Sequence, residues 1–138
     1  MTGGSVIIAG SAGSLAGSRM RRGLLAIGGD CGEAAGFEML AGTVVVAGRP
    51  GRLVGLGMQR GSVILLGAAE TGELPAWLPP NFQRGAAWSP AFLPLLAQQL
   101  ASAGFAGAAG RDWRHPWQQW HGDGLCSGRG EILVPARR

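Results

Sequence analysis

The sequence predicts a mainly β protein: a right-handed parallel β-helix, or single-stranded solenoid, of about four 19-residue coils, with a C-terminal helix and an extended tail packed on it. The first observation behind this is a 19-residue repeat that runs over residues 4–67 without an insertion or a deletion. The second is a short apolar segment at the same phase of every repeat, and the third is glycine at several other fixed phases. Helical repeat families need longer units, so short stacked coils are favoured.

Columns of identical residues fix the register of the repeat. The glycine columns are Gly4/Gly23/Gly42/Gly61, Gly10/Gly29/Gly48/Gly67, Gly13/Gly32/Gly51 and Gly17/Gly36/Gly55, and the methionine column is Met20/Met39/Met58. A stacked chain must turn at the same place in every coil, often with positive φ, which predicts glycine at the corners. A phosphate-binding loop is disfavoured for residues 10–17, because the segment lacks the Gly-Lys-Ser/Thr ending and recurs in each repeat.

Each coil is predicted to begin with a strand, because its apolar segment is β-branched or aliphatic and lies between two glycines. Alternation along a strand sends every second side chain inward. The predicted interior ladders are Val6/Leu25/Val44/Val63 and Ile8/Ile27/Val46/Leu65, with the flexible methionine column filling a corner.

The chain divides at the end of the repeat into residues 1–67, the parallel β-helix, and residues 68–138, a C-terminal extension. Residues 73–82 contain three prolines, which exclude a helix and a central strand and predict an extended crossing segment. Its apolar side chains favour packing on the chain's own solenoid over binding a partner.

A single amphipathic helix is predicted over residues 90–103. Ser89 is the expected N-cap, Pro90 the first helical residue and Gly104 the stop. A helix of this length is not stable alone, so we expect it to pack against the flank of the solenoid. Its predicted apolar positions are Phe92, Leu93, Leu95, Leu96 and Leu100.

A tryptophan-rich loop is predicted to follow the helix. It contains the sequence's one candidate metal or acid–base cluster, whose members are His115, His121, Asp112 and Asp123. No HxH or HExxH spacing is present, so no catalytic, cofactor-binding or metal-binding residue is expected in this chain. Surface aromatics that anchor a partner are the favoured functional interpretation of Trp113, Trp117 and Trp120.

The chain closes with a short β-type run at residues 131–134, predicted to add a strand to the last coil or to a neighbouring protein. Nothing in the sequence caps the first coil, although a solenoid needs both ends covered. The formal net charge is +4, and all the basic residues are arginines. They lack the clustering and aromatic interleaving that nucleic-acid binding requires. Cys31 and Cys126 have no spacing typical of a disulfide framework or a zinc site. With no signal peptide or membrane-spanning run, a cytoplasmic location is expected.

The repeated G-x-I-x-I/V-x-G-x-x-G-x-x-x-G-x-x-M pattern resembles the GXGXG β-helical domain found in glutamate synthase large subunits and in one subunit of formylmethanofuran dehydrogenase, here called the GXGXG subunit. The tail favours the second family. The crossing segment, the helix from Pro90, Gly122-Asp123 and the closing Gly-Arg-Gly-Glu-Ile-Leu133 resemble the C-terminal half of the GXGXG subunit. This includes the version in the formyltransferase/hydrolase complex of aerobic methylotrophs. The family has further coils before this point, so a split, truncated or naturally short protein is left open.

The resemblance implies a noncatalytic scaffold that holds formyltransferase and amidohydrolase-like subunits in one-carbon metabolism, with no nucleic-acid or membrane partner. No cofactor is expected on this chain. The complex would use a methanofuran-type carrier and tetrahydromethanopterin, with molybdenum or tungsten only in the dehydrogenase form. The alternatives are a glutamate synthase-like GXGXG protein and a freestanding binding module that uses its tryptophans and arginines to hold an anionic ligand.

Overall fold

The computed structural model describes residues 4–68, 75–79, 82–105, 113–114, 116–121 and 130–135. The elements in chain order are β1 (Ser5–Ile8), β2 (Leu24–Ile27), β3 (Thr43–Val46), β4 (Ser62–Leu65), β5 (Gln83–Trp88), α1 (Phe92–Ser102), β6 (Trp117–His121) and β7 (Glu131–Pro135). The strands form one seven-stranded sheet in the order β1-β2-β3-β4-β7-β6-β5.

The first four strands are parallel, and each residue pairs with the residue one repeat later. Val6 pairs with Leu25, Leu25 with Val44, and Val44 with Val63. Hydrogen bonds continue between coils outside the strands, where the Leu15 N–H donates to the Glu33 carbonyl at 2.8 Å. Whole coils are therefore stacked, which confirms the predicted solenoid, with about three turns.

The interior of the stack contains the predicted ladders and the methionine column. Met20, Met39 and Met58 are each fully buried, as are the side chains of Val44 and Val63. The long thioethers reach toward the neighbouring coil. If Gly42 carried a Cβ atom, that atom would lie 3.1 Å from the Met20 Cε. The prediction is wrong for one member of the ladder. Val6 is 42% exposed, because β1 has a neighbouring strand on one side only.

The glycine columns have two different physical causes. Gly42 has φ +102°, a region that L-residues rarely enter, which confirms a left-handed corner for its column. Gly48 has no positive φ, but a Cβ there would lie 2.5 Å from the carbonyl carbon of Gly29 in the preceding coil. In that column glycine is required by the close approach of two backbones, and not by a left-handed φ.

The C-terminal extension closes the last coil of the stack. Strand β7 pairs in parallel with β4, which confirms the terminal strand, and β6 and β5 continue the sheet antiparallel beyond it. The predicted tryptophan-rich loop is wrong over Trp117–His121, which forms β6, and β5 was not predicted at all. Trp77 and Phe82 of the crossing segment are buried in the interior cluster, so this segment packs on its own solenoid as expected.

The helix is shorter than predicted. It spans Phe92–Ser102, and its N-cap is Ala91, which makes no side-chain capping hydrogen bond. The Ser89 hydroxyl is not the cap because it donates to the Arg114 carbonyl at 3.1 Å. Gly104, with φ +79°, ends the helix as expected. The buried residues Leu93, Leu96 and Leu100 pack against the outward side chains of the central strands, which include Ala26, Val45, Ile64 and Leu133.

Candidate interaction surfaces

The predicted histidine and aspartate cluster is represented in the structure by one residue. His121 is the exposed last residue of β6, where it pairs with Gln83 on one side and Glu131 on the other. His115, Asp112 and Asp123 lie outside the described residues. Among the described residues, no group of three His, Cys, Asp or Glu side chains could hold a metal ion.

The tryptophans predicted as surface anchors are buried. Trp113, Trp117 and Trp120 are 7%, 2% and 1% exposed, so the anchor interpretation of these residues is wrong. The reason is that both faces of β6 are covered. Trp117 belongs to the outer cluster beneath α1, while Trp120 belongs to the interior cluster of the solenoid. Different residues of one strand thus serve two separate cores.

Trp120 closes the interior of the stack. Its ring meets Trp77 edge to face at 6.3 Å between centroids, and the Arg84 guanidinium carbon lies 5.5 Å from its centroid. Such a cation–π contact holds the exposed Arg84 guanidinium against the Trp120 ring, which with Trp77 forms an aromatic plug at this end of the stack. No described residue accepts a hydrogen bond from the buried Trp120 indole N–H, which carries a desolvation cost within an otherwise apolar cluster.

A polar clamp that sequence patterns did not indicate connects three strands of the closed end. The Ser62 hydroxyl of β4 donates to Glu131 Oε1 at 2.7 Å, and the Gln119 side-chain amide of β6 donates to Oε2 at 2.6 Å. Glu131 lies on β7 between them, so both of its carboxylate oxygens accept a bond. The clamp fixes strand register rather than presenting a reactive carboxylate.

Cys31 is the one cysteine among the described residues, and its thiol is not positioned for nucleophilic chemistry. The side chain is 7% exposed, and burial raises its pKa, against a smaller opposing hydrogen bond from the Gly32 backbone. A raised pKa keeps the thiol protonated at neutral pH, whereas a nucleophilic cysteine needs the thiolate.

The outward face of α1 is uncharged, and it combines exposed apolar side chains with the polar residues Gln98, Gln99 and Ser102. Phe92 is 38% and Leu95 is 66% exposed, which is the reverse of the buried positions predicted for them. Trp88, at the end of the edge strand β5, is also exposed, at 45%. Exposed large apolar residues are typical of protein–protein interfaces.

The corners of the coils carry the charged residues. Arg19 and Glu38, one repeat apart, form an ion pair at 3.5 Å with 73% and 44% of their side chains exposed. Pairs this exposed contribute little to stability. In a second column, hydrogen bonds join each coil to the next. The Asp30 N–H donates to Ser11 Oγ, and the Arg49 N–H donates to Asp30 Oδ1.

The fold and these surfaces define a β-solenoid whose described residues offer contact surfaces and a closed end, without a convergent set of reactive groups. No described helix is both long and hydrophobic enough to traverse a lipid bilayer. No protein-family model and no curated protein matches the sequence.

Over nearly its whole length, the chain is similar to a chain of a solved structure. This is a chain in the X-ray crystal structure of the formyltransferase/hydrolase complex (FhcABCD) from Methylorubrum extorquens in complex with methylofuran. The sequence identity is 29% and the TM-score 0.67. The alignment covers 99% of this chain and 57% of that chain, so this chain spans little more than half of its neighbour's length.

Proposed function

We propose that this chain is a noncatalytic structural subunit of a formyltransferase/hydrolase complex, equivalent to the C-terminal half of its GXGXG subunit. The observation that carries the proposal is the similarity to a chain of FhcABCD over 99% of this chain at 29% identity. Similarity that includes the C-terminal extension is more specific than a shared β-solenoid, since that extension lies outside the repeat.

The residues of this chain support a structural role over a catalytic one. The carboxylate of Glu131 is engaged by two hydrogen bonds, and burial holds the Cys31 thiol in its protonated form. General acid–base or nucleophilic chemistry needs such groups to converge on a site that a substrate can reach. The exposed apolar residues instead provide contacts for other subunits.

At the level of the complex, we propose the partners to be formyltransferase and amidohydrolase-like subunits. They would move a formyl group between tetrahydromethanopterin, a methanofuran-type carrier and formate. The neighbouring structure is a formyltransferase/hydrolase complex in complex with methylofuran, which favours this form over a molybdenum- or tungsten-containing dehydrogenase.

The test is purification of the tagged chain from its source organism, with mass spectrometry of the proteins that remain bound and an assay of formyl transfer. Formyltransferase and amidohydrolase-like subunits are expected at fixed stoichiometry. His121→Ala should leave both assembly and activity unchanged, because His121 is exposed and no reaction is assigned to it. Gly42→Val should abolish both, because it disrupts the stack at a residue with φ +102°. Recovery of the chain without these subunits would contradict the proposal.

A further inference from the structure

The corners that precede β2, β3 and β4 stack in register and form one surface, here called the arginine corner. It consists of residues 19–22, 38–41 and 57–60. The Ala41 N–H donates to the Met20 carbonyl at 3.1 Å, and the Gln59 N–H donates to the Met39 carbonyl at 2.8 Å. The methionines of these corners are buried, whereas four arginines are exposed: Arg19, Arg21, Arg22 and Arg60. The fold therefore brings to one side of the solenoid arginines that are far apart in sequence.

The positive charge of the described solenoid is concentrated at this corner. Within residues 4–68, the arginine corner holds four of the six arginines but only one of the three acidic residues, Glu38. The other two arginines and two acidic residues of this range balance each other. The whole positive excess of residues 4–68 thus lies on one side of the stack.

A second corner, residues 28–33 and 47–52, shows how the same solenoid balances its charges; it is here called the balanced corner. Asp30 precedes Arg49 by one repeat, and Glu33 precedes Arg52 in the same way, so opposite charges are stacked. In the arginine corner only the pair of Arg19 and Glu38 follows this rule. The other two columns contain no acidic residue, and they are Arg21/Leu40/Gln59 and Arg22/Ala41/Arg60.

The spacing of these arginines indicates the size of the group that fits them. Neighbouring coils lie about 4.8 Å apart, so the columns place Arg22 and Arg60 about 10 Å apart across the small Ala41. Like charges at this spacing repel each other, and carboxylates lying between them would replace repulsion with attraction. A small anion is too short to reach both arginines. An extended polypeptide covers about 10 Å in three residues, which matches the distance.

A nucleic acid fits this surface less well than an acidic polypeptide. Single-stranded nucleic acids are bound by basic side chains together with aromatic side chains on which the bases stack, and the arginine corner contains no aromatic residue. We propose that the arginine corner is the docking surface for an acidic segment of a partner protein, whose carboxylates bind the guanidinium groups of Arg21, Arg22 and Arg60.

Cross-linking identifies the groups that contact this corner. The sequence contains no lysine, so Arg60→Lys keeps the charge and introduces the only side-chain amine of the chain. A carbodiimide joins an amine directly to a carboxylate that it contacts. In the native preparation from the source organism, the introduced amine should become linked to an aspartate or glutamate of another protein, with a second acidic residue within about four positions of it. Arg49→Lys is the matched control and should link to no other protein, because Asp30 of its own chain lies beside it.

Cross-links only to carboxylates of this chain, in the same or in a second copy, overturn the proposal, as does the absence of any cross-link. A link to an isolated carboxylate, or the same link from Arg49→Lys, also overturns it. Release of the retained material by nuclease would identify a nucleic acid as the occupant and overturn the acidic polypeptide.

The double variant Arg22→Gln with Arg60→Gln tests whether the charges hold the partner. Purified alone, it should melt no lower than wild type, because both side chains are exposed and their mutual repulsion is removed. In the native preparation, it should retain about tenfold less of the cross-linked protein than Arg49→Gln with Arg52→Gln, which removes the same charge from the balanced corner. Equal retention by the two double variants overturns the proposal.

This docking surface does not depend on the proposed function. A cross-link to an acidic segment in a preparation without formyltransferase and amidohydrolase-like subunits would keep the docking surface and contradict the proposed function. Recovery of those subunits without any cross-link would do the opposite.

Discussion

At the scale of the residue, the stack overrides local backbone preference. Leu15, Ala34 and Leu53, one repeat apart, have φ values of 62°, 57° and 57°. A left-handed conformation costs an L-residue about 1–2 kcal/mol, so the sequence alone would not place leucine there. Contacts with the stacked neighbouring coil determine the dihedral angles, because each coil must match the path of the next.

Gly42→Ala and Gly4→Ala should separate backbone strain from steric contact. Both glycines have positive φ, but a Cβ on Gly42 would lie 3.1 Å from the Gly23 carbonyl oxygen, while a Cβ on Gly4 would meet nothing within 4 Å. We expect each variant to lose about 1–3 kcal/mol of unfolding free energy through strain, with a larger loss at Gly42. Urea denaturation measures both. An unchanged midpoint for Gly42→Ala would contradict the left-handed corner.

Much of the residue-level structure could be predicted from the repeat, and the failures have a common cause. Periodicity identified the buried methionine column, for example Met39, and the glycine corner at Gly42. It could not identify the exposure of Val6, since a column looks the same in sequence whether or not a coil lies beyond it. Nor could it separate glycines required by φ from those required by close backbones.

At the scale of the element, the strands inside the repeat and the terminal strand β7 were predictable, whereas β5 and β6 were not. In β1 to β4 the same apolar pattern occurs four times, so its agreement with a strand is not a chance match in one segment. In β6 the sequence Trp-Gln-Gln-Trp-His places large side chains on both faces of the strand. It therefore lacks the alternation of apolar and polar residues that identifies a strand with one solvent-exposed face, and it is not part of a repeat. The burial of its tryptophans, which overturns their interpretation as anchors, follows from this unrecognised strand.

Glu131→Gln should weaken the closed end of the solenoid. The substitution keeps the shape of the side chain but replaces a carboxylate oxygen, so one of the donors from Ser62 and Gln119 loses its acceptor. We expect a loss of about 1–2 kcal/mol of unfolding free energy. A double-mutant cycle with Ser62→Ala should show coupling between the two residues.

Glu38→Gln provides the matched control for this clamp, because its ion pair with Arg19 is 3.5 Å long and exposed. It should change stability by less than about 0.5 kcal/mol. Equal effects of the two glutamate substitutions, or the absence of coupling with Ser62, would mean that the clamp does not fix the closed end.

At the scale of the whole molecule, the two ends of the stack are unequal. The last coil is covered by β7, β6 and β5, and the aromatic plug of Trp77 and Trp120 fills the interior beneath them. The first coil has a neighbour on one side only, and its ladder residue Val6 is 42% exposed. In a solenoid each coil is stabilised mainly by its neighbours, so stability should fall toward the first coil.

Amide hydrogen exchange of the isolated chain should follow this gradient. The slowest exchange is expected in β3, whose core residues Val44, Val45 and Val46 are fully buried between two paired strands. The fastest exchange among β1 to β4 is expected in β1. Uniform protection from β1 to β4 would show that the stack opens as one unit and that the first coil is not locally less stable.

The uninterrupted register of the coils also limits how such a gene can change in length. Each hydrogen bond in this ladder joins residues about a whole repeat apart, as in the bond from the Thr43 N–H to the Gly23 carbonyl. Losing or gaining one codon between residues 4 and 67 would shift the glycines and the strand that follow it by one residue against the preceding coil, and a one-residue slip reverses which side chains face inward. Gain or loss of a complete repeat preserves all columns. Natural variants of this solenoid should therefore differ in length by whole repeats.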